Sequence, residues 1–363
     1  MGDWARPADT KKMKSKINKS RSASRSDRFE KLSVAERLKL VEKVFVRYPR
    51  LKTLHQKIDF CRTYSKIAAE PECMLITGAQ GIGKTTLIEW YVGDFLIREL
   101  PEKRVVPILT VLVPSPATVK GLATEMLKSI GDPAADRGTV SSITLRLRKF
   151  LVGCEVELIV LDEFQHFDDR NSKGVLKIVS DWLKNLLNQT KVPIVLVGMP
   201  GFESVLDAKG NEQLKRRFSN REQIEPFSWQ GPKEIQEFRQ LLKKIDDELP
   251  LLTDSHLADF ATAFLIYKAT NGVINYVMKL LRRAARIAIE CGLNRIDHPV
   301  LADAYEQVLA KEFMQRPNPF LVASNESQVK PLAKRTVPTI GATSKRIKPR
   351  KRRADLSDVL STR

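Results

Sequence analysis

A glycine-rich run between an apolar segment and a helical segment is the strongest constraint that this sequence carries. Residues 78–85 read Gly-Ala-Gln-Gly-Ile-Gly-Lys-Thr and satisfy every fixed position of the pattern GxxxxGK[ST]. The apolar run 73–77 precedes them and the helical stretch 85–98 follows. We predict a strand–loop–helix unit with an anion-binding loop, because glycines let backbone N–H groups surround an anion and a helix N-terminus favours negative charge.

Short apolar runs alternate with helical stretches from this unit as far as Trp229. We predict buried strands at residues 73–77, 105–113, 157–162, 193–198 and 221–226. Such runs are typical of parallel strands covered on both faces, so the predicted fold class is α/β, with a five-stranded parallel sheet flanked by helices. After Trp229 only helical periodicity is found, which predicts a small all-helical lid with helices at 231–248, 254–269, 273–291 and 298–314.

Charge is concentrated at the two ends of the chain, whose net charge is +19. Residues 1–31 hold ten basic and four acidic residues, and residues 321–363 hold eleven basic and three acidic. Both segments are too polar to bury a core, so we predict basic disordered tails around an α/β domain with leading helices (32–228) and the lid (229–320). Basic tails favour nucleic-acid binding, because Lys and Arg on phosphates release counterions. The alternative is a solvated tail.

Composition argues against several other classes of protein. No apolar run approaches the ~20 uninterrupted residues of a membrane span, and the N-terminus has no stretch typical of a signal peptide. The four cysteines are far apart, which predicts reduced thiols, and none of the four histidines lies at zinc-ligand spacing from a cysteine. We therefore expect a cytoplasmic protein with no membrane partner.

An acidic pair follows the third predicted strand. The apolar residues 158–161 end in Asp162 and Glu163, which predicts that both carboxylates lie at the carboxyl edge of the sheet, beside the glycine loop. The two motifs together predict a hydrolytic nucleoside triphosphatase that uses Mg²⁺. Lys84 would reach the β- and γ-phosphates, Thr85 and Asp162 would hold Mg²⁺, and Glu163 would polarise the attacking water. The predicted phosphate-binding residues are Gly78, Ala79, Gln80, Gly81, Ile82, Gly83, Lys84, Thr85 and Thr86.

Two arginines suggest how hydrolysis depends on assembly. Arg217, the first choice, and Arg216 lie near the end of a helix after the fourth strand. A guanidinium donated by a neighbouring subunit can neutralise the charge that develops on the γ-phosphate. The alternative for either residue is a solvated basic helix end.

These motifs together resemble the AAA+ ATPases, and their order is similar to that of the TniB/TnsC family of transposition ATPases. The resemblance covers roughly residues 33–320 and includes GAQGIGKTT, LDEFQH, PIVLVGMP, QLKRRF and the closing PNPF. It implies a bacterial ATPase that polymerises on double-stranded DNA as a ring or helical filament. Such an assembly links a target-selector protein to a DDE-type transposase, and ATP hydrolysis regulates its assembly and disassembly.

The chain departs from the AAA+ pattern at two places. Met199 follows the fourth strand, where these proteins usually carry a polar sensor residue. In the lid, Asn275 follows the glycine where an arginine is common, and Arg282 comes two turns later. The resemblance implies that Asn275 approaches the nucleotide, and we expect slow, switch-like hydrolysis.

The resemblance also implies where duplex DNA lies against the ATPase domain. It passes the helices after the second and before the third strand, where the candidates are Thr118, Lys120, Thr144, Arg146 and Arg148. Each is alternatively an ordinary exposed helix residue. The basic run 345–353 is the stronger candidate for nonspecific contact. The sequence has no helix-turn-helix, zinc module or RNA-recognition signature, so we expect contacts to phosphates rather than to bases.

Two other functions stay open. The chain could be another AAA+ ATPase that works on DNA, of the initiator or helicase-loader type, although an initiator normally adds a winged-helix domain after the lid and the C-terminal tail is too short and polar for one. It could also be a scaffold that binds nucleotide to assemble but hydrolyses little of it. The substitution Glu163→Gln separates the two classes, since only a hydrolysing protein would be locked into long-lived assemblies on DNA.

Overall fold

The computed structural model describes residues 25–167, 173–201, 203–207, 212–313 and 316–321. All of these residues belong to one of the two units into which the chain divides. The second unit, Lys330–Arg363, lies outside the described residues. Most of both predicted basic tails, including the run 345–353, is therefore outside the described part of the chain.

A parallel sheet lies at the centre of the described unit. Its strands and those of a short hairpin are β1 (Met74–Gly78), β2 (Arg98–Glu99), β3 (Arg104–Val105), β4 (Ile108–Leu112), β5 (Leu158–Asp162), β6 (Ile194–Gly198) and β7 (Asn220–Ile224). The sheet has five strands in the order β4-β5-β6-β1-β7, and every pairing in it is parallel. Strands β2 and β3 form a separate antiparallel pair. The predicted five-stranded parallel sheet is confirmed.

Helices cover the sheet and continue after its last strand. They are α1 (Arg25–Phe29), α2 (Val34–Lys43), α3 (Pro49–Tyr64), α4 (Lys84–Val92), α5 (Val119–Ile130), α6 (Val140–Gly153), α7 (Lys173–Thr190), α8 (Glu203–Asp207), α9 (Glu212–Arg217), α10 (Pro232–Glu248), α11 (Phe260–Thr270), α12 (Ile274–Glu290) and α13 (His298–Val308). A single 3₁₀ turn, Phe164–Phe167, follows β5. The helices after β7 confirm the predicted helical C-terminal region.

The core has two parts because successive side chains of a strand point to opposite faces of the sheet. On β1, Met74 and Ile76 belong to one buried cluster and Leu75 to the other. The cluster that contains Leu75 is completed by α5, α6 and α7. The other is completed by α2, α3, α4 and the helices after β7, so the C-terminal helices share a continuous core with one face of the sheet.

The predicted strand 105–113 is divided in the structure. Val105 ends β3, and β4 begins only at Ile108. Pro107 lies between them, and proline has no N–H to donate to a strand ladder, so it suits a position where one pairing stops and another begins. Its carbonyl oxygen accepts a hydrogen bond from the Glu157 N–H at 2.8 Å, which starts the pairing of β4 with β5.

The first described residues pack on the C-terminal helices. Phe29 of α1 is buried, and the Arg25 guanidinium forms ion pairs with Asp246 and Asp254. Its Nε also donates to the carbonyl oxygen of Leu251, 226 positions later, at 3.1 Å. This helix lies inside the segment 1–31 that composition assigns to a tail. Composition cannot reveal these distant partners.

Two predictions drawn from composition can be compared with the described residues. Cys61, Cys73, Cys154 and Cys291 are all free thiols, as predicted. Within the described part of the chain, we find no helix with the length and apolar character that crossing a membrane requires.

Candidate nucleotide site at the carboxyl edge of the sheet

The glycine-rich loop joins β1 to α4, as its position in the sequence predicts. Gly83 caps the N-terminus of α4 with a φ of 97°, a left-handed conformation that glycine adopts without strain. The Lys84 side chain turns back over the loop, and its Nζ donates to the carbonyl oxygens of Gly78 at 2.7 Å and Ala79 at 3.1 Å. Lys84 is only 6% exposed. A buried cation therefore lies inside the loop, beside the free N–H groups of the first turn of α4.

The predicted magnesium ligands lie together. The Thr85 hydroxyl donates to Asp162 Oδ2 at 3.0 Å, and the Glu163 N–H donates to Asp162 Oδ1 at 2.8 Å. Burial raises the pKa of the Asp162 carboxyl, although both hydrogen bonds favour its charged form. A hydroxyl and one carboxylate suit Mg²⁺, which commonly takes one or two carboxylates and completes its shell with phosphate oxygens and water. The described residues hold no cluster of three or more His, Cys, Asp or Glu side chains that would suit a metal held by protein alone.

Two carboxylates lie near the positive charge of Lys84 at this edge of the sheet. Burial lowers the pKa of the Lys84 ammonium, and the nearby carboxylates of Glu163 and Asp162 act in the opposite direction. The polar groups at this edge therefore fit a nucleoside triphosphate with its bound cation. The buried Lys84 ammonium suits the phosphates, the Thr85–Asp162 pair suits the metal, and the Glu163 carboxylate is one further charged group.

Glu163, which is predicted to polarise the attacking water, directly follows β5 and has an unusual backbone conformation. Its φ is 57°, which is uncommon for a residue other than glycine and often marks a functional site. Gln165 Nε2 donates a hydrogen bond to Glu163 Oε2. Gln165 is not among the site residues predicted from the sequence. The sequence DEFQH indicates this contact, because a side-chain amide two residues after the glutamate is long enough to reach its carboxylate.

The end of β6 also contacts this site. The Met199 N–H donates to Gln165 Oε1 at 3.0 Å, and the Met199 sulfur lies 4.0 Å from Lys84 Nζ. An apolar side chain therefore occupies the sensor position, as the sequence indicated. His166 Nδ1 lies 2.8 Å from the carbonyl oxygen of Val113, so His166 caps the end of the neighbouring strand rather than pointing at the phosphates.

The C-terminal helices reach the loop at the start of α12. The Asn275 N–H donates to the Gly81 carbonyl oxygen at 3.1 Å, and the Asn275 side chain would lie 3.1 Å from a Cβ on Gly81. Asn275 is therefore at the loop, where the resemblance implies it should be. Arg282 is not, because its Nη2 donates to the Val44 carbonyl oxygen at 2.9 Å, in the segment before α3.

The two candidate arginines lie at the opposite edge of the sheet. The Cys73 N–H donates to the Arg217 carbonyl oxygen at 3.1 Å, which puts Arg217 at the amino end of β1. A strand of five residues separates that end from the glycine loop, a span of about 16 Å at roughly 3.3 Å per residue. Neither arginine can therefore act on a nucleotide bound by its own chain.

The two candidate arginines differ in exposure. The Arg217 side chain is 8% exposed, and its Nη2 donates to Asn188 Oδ1 at 2.7 Å. Arg216 is 71% exposed and forms an ion pair with Glu70 at 2.7 Å. Arg217 is therefore held within its own chain, whereas most of the Arg216 side chain is exposed.

The DNA candidates divide into engaged and exposed residues. Thr144 is buried, donates to the Val140 carbonyl oxygen at 2.7 Å and accepts from Trp182 Nε1 at 3.1 Å. The Arg146 Nε forms an ion pair with Asp132 at 3.0 Å. Thr144 is therefore engaged inside the fold, and the guanidinium of Arg146, whose side chain is 30% exposed, is already paired within its own chain.

The remaining DNA candidates keep more of their surface. Thr118 is exposed, but its hydroxyl caps α5 by accepting from the Gly121 N–H at 2.9 Å. Arg148 is half-buried, and Lys120 is exposed on the first turn of α5. Lys120 is therefore the candidate whose charge is most accessible on the described surface.

Comparison with solved structures identifies the fold. The Cdc6p structure from Pyrobaculum aerophilum superposes with a TM-score of 0.55 at 16% identity, covering 77% of this chain and 74% of that one. The ORC2 protein of Aeropyrum pernix, in ADPNP–ADP complexes, gives a TM-score of 0.52 at 17% identity, with coverages of 76% and 72%. The ORC1 protein of Aeropyrum pernix, in complex with DNA, gives 0.51 at 17% identity, covering 72% of this chain and 66% of ORC1.

The family assignment comes from the sequence itself. No match is found among curated proteins. The family described as bacterial TniB protein matches residues 37–229, more than half of the chain, from helix α2 to the end of the α/β domain. This chain shares the fold of these solved structures and belongs to the TniB family.

Proposed function

We propose that this protein is an ATP-dependent regulator of transposition that assembles on duplex DNA and links target-site selection to a DDE-type transposase. The observation that carries the proposal is the convergence of Lys84, the Thr85–Asp162 pair and Glu163 at one edge of the sheet in a TniB-family chain. Hydrolysis regulates the assembly rather than driving a motor. We assign the protein to the bacterial cytoplasm, where the DNA is.

Each residue has one task in this reaction. Lys84 and the loop from Gly78 to Thr86 bind and orient the triphosphate. Thr85 and Asp162 hold Mg²⁺, which neutralises phosphate charge when it is bound. Glu163 accepts a hydrogen bond from the attacking water and turns its oxygen toward the γ-phosphate.

Assembly completes the site in this proposal. Arg216 is exposed at the amino edge of the sheet, and a second copy that presents it to the nucleotide edge would stabilise charge on the γ-phosphate. An exposed apolar stripe on the same edge supports a contact between copies: Phe60 and Tyr64 stack with ring centroids 5.1 Å apart, and Ile67 is 82% exposed. Ile67 is three residues before Glu70, the partner of Arg216.

Binding to DNA rests on charge in this proposal. Lys120 and the basic segments at both ends of the chain supply cations for phosphate contacts, which depend on salt and read no sequence. The DNA-bound ORC1 protein has the same fold, but its low identity supports the fold alone. The transposase and the target selector are partners that family membership suggests.

Electron microscopy tests the proposal directly. We would image the full chain by negative stain with linear duplex DNA, in ATP, a non-hydrolysable analogue, ADP and no nucleotide. We expect rings or filaments on DNA that require a triphosphate, and none with Lys84→Ala, which loses the phosphate-binding ammonium. Wild-type protein that stays monomeric and does not bind DNA in any nucleotide state would contradict the proposal.

A nucleotide-dependent scaffold is the second candidate function. The apolar Met199 at the sensor position favours it, because a thioether 4.0 Å from Lys84 offers little to a γ-phosphate. Glu163→Gln distinguishes the two. If hydrolysis regulates assembly, this variant should hold long-lived assemblies on DNA, whereas a scaffold should disassemble at the wild-type rate.

A further inference from the structure

The side chain of Gln165 bridges two strands of the sheet at the candidate site. Its amide nitrogen donates to Glu163 Oε2, just after β5, and its amide oxygen accepts from the Met199 N–H at 3.0 Å, just after β6. A single planar group therefore fixes the distance between these two strand ends. Gln165 lies on the short 3₁₀ turn Phe164–Phe167, where Phe164 and Phe167 are buried and hold the turn against the core.

The Glu163 carboxylate depends on this amide. Within the described part of the chain, Gln165 is the side chain that donates a hydrogen bond to it. The backbone of Glu163 is left-handed, so the direction of its side chain is not set by continuation of the strand. A carboxylate that must orient a water needs a fixed direction, and a hydrogen bond from a neighbour on a rigid turn supplies one.

The other end of the bridge is at the sensor position. Where a polar side chain is expected after the fourth strand of the sheet, this chain has Met199, which offers only its backbone N–H to the bridge. The Met199 sulfur approaches Lys84. A movement of the loop lysine would therefore shift Met199, and the amide of Gln165 would transmit that shift to Glu163.

We propose that Gln165 is a positioning residue that orients the Glu163 carboxylate and couples it to the end of β6, in place of a polar sensor side chain. This inference rests on the proposed function, because it assigns a role in ATP hydrolysis. Gln165 contacts neither the nucleotide nor the water; it acts through Glu163.

Hydrogen exchange of the free protein tests the bridge without any reaction. In Gln165→Met, a side chain of similar length offers only a weakly accepting thioether to the Met199 N–H, and we expect the peptide that contains Met199 to exchange faster. In Gln165→Glu, an oxygen still accepts that N–H, and we expect exchange close to wild type. Equal exchange in Gln165→Met and wild type would overturn the bridge.

Kinetics test the role of the bridge. With the full chain on duplex DNA, we expect Gln165→Met to lower kcat by roughly 10- to 100-fold, with KM and ATP affinity near wild type, because orientation is lost while binding is kept. Gln165→Glu should lower kcat similarly, since a second carboxylate faces Glu163 and the donor is gone. His166→Ala serves as a control on the same turn: it loses the contact with the Val113 carbonyl oxygen but keeps the amide, and kcat should stay near wild type.

A double-mutant cycle separates action through Glu163 from general damage. Adding Gln165→Met to Glu163→Gln should lower the single-turnover rate no further, because the residue through which Gln165 acts is already changed. An additional loss of the same size would overturn the positioning role. Wild-type protein that hydrolyses no ATP would overturn the proposed function and this inference together, whereas hydrolysis unaffected by Gln165→Met would overturn this inference alone.

Discussion

Asp162 is a residue at which stability and the proposed function oppose each other. It is 5% exposed, and burial raises the pKa of its carboxyl above the ordinary value of 3.8. The folded-state pKa is therefore the higher one. The stability linked to this group is present below the unfolded-state pKa and is lost as the pH rises through the folded-state pKa. At neutral pH the ionised Asp162 costs stability.

We expect Asp162→Asn to raise the Tm of the nucleotide-free protein at pH 7, because the amide removes a buried charge and the Thr85 hydroxyl can rotate to accept from it. The difference in Tm should shrink as the pH falls through the raised pKa of Asp162, because the wild-type carboxyl then becomes protonated and neutral. Added Mg²⁺ and ATP should raise the Tm of the wild type alone. Thermal unfolding at several pH values measures this, and a variant less stable than wild type at pH 7 would contradict it.

Truncation of the two arginines of α9 should change stability by different amounts. Arg217→Ala removes a buried partner of Asn188, so we expect the free energy of unfolding to fall by about 1–3 kcal/mol. Arg216→Ala removes an exposed ion pair with Glu70 and should change stability by less than about 0.5 kcal/mol. Urea denaturation of both variants measures the difference.

The proposed role of Arg216 in a neighbouring subunit has its own test. Arg216→Ala and Glu163→Gln should each be inactive alone in DNA-stimulated ATP hydrolysis. Mixed together, they should recover activity, because the intact Glu163 site of one variant meets the intact Arg216 of the other. A mixture no more active than its components would count against a role in trans.

The clustering of the candidate site residues could be predicted because each belongs to a short motif whose geometry is local. Lys84 and Thr85 follow the loop glycines directly, and Asp162 and Glu163 end a strand. The sequence could not show the occupation of Arg146 by Asp132, or the burial of Arg217 against Asn188. Those partners come from other elements, and periodicity does not identify them.

At the scale of elements, the junction between β7 and the C-terminal helices is a backbone contact. The Phe227 N–H donates to the Gly272 carbonyl oxygen at 2.9 Å. Gly272 has a φ of 70°, and a Cβ there would lie 2.0 Å from the Phe227 carbonyl oxygen. Gly292, at the end of α12, has a φ of 69°, and a Cβ there would have no atom of the described residues within 4 Å beyond its chain neighbours. The two glycines share a conformation and differ in crowding.

Alanine substitutions at Gly272 and Gly292 together isolate the effect of the close approach to Phe227. Gly292→Ala should cost about 1–2 kcal/mol of unfolding free energy from left-handed strain alone. Gly272→Ala should cost clearly more, and it should also weaken ATP binding, because Asn275 follows three residues later and contacts the loop. Equal losses of stability in the two variants, measured by chemical denaturation, would show that the contact with Phe227 adds nothing.

The strands were predicted to within about two residues where they are buried on both faces, since an unbroken apolar run has few other uses in a sheet. The hairpin of β2 and β3 was missed. Both residues of β2 are exposed, so the pair has no apolar alternation to reveal it. The helix α1 was missed for another reason, because its anchor Arg25 depends on Asp246, a buried carboxylate far along the chain.

At the scale of the whole molecule, both ends of the described unit pack on its C-terminal helices. Arg25, at the N-terminal end of the described residues, is paired with Asp246 of α10. At the other end, Asn318 Nδ2 donates to the Ala302 carbonyl oxygen at 3.0 Å, and Phe320 is buried. The same helical part contacts the glycine loop through Asn275. The glycine loop and both ends of the described unit are therefore in contact with the same group of helices.

The salt dependence of DNA binding tests the contribution of the C-terminal charge. The run 345–353 contains seven basic residues. Replacing all seven with Gln should lower the slope of log K against log salt by up to about 6, because each neutralised phosphate contributes roughly 0.9. A matched variant with every Arg of the run changed to Lys keeps the charge, so its slope should equal that of wild type. If the Gln variant also keeps the wild-type slope, the phosphate contacts belong elsewhere, and exposed Lys120 on α5 becomes the first residue to change.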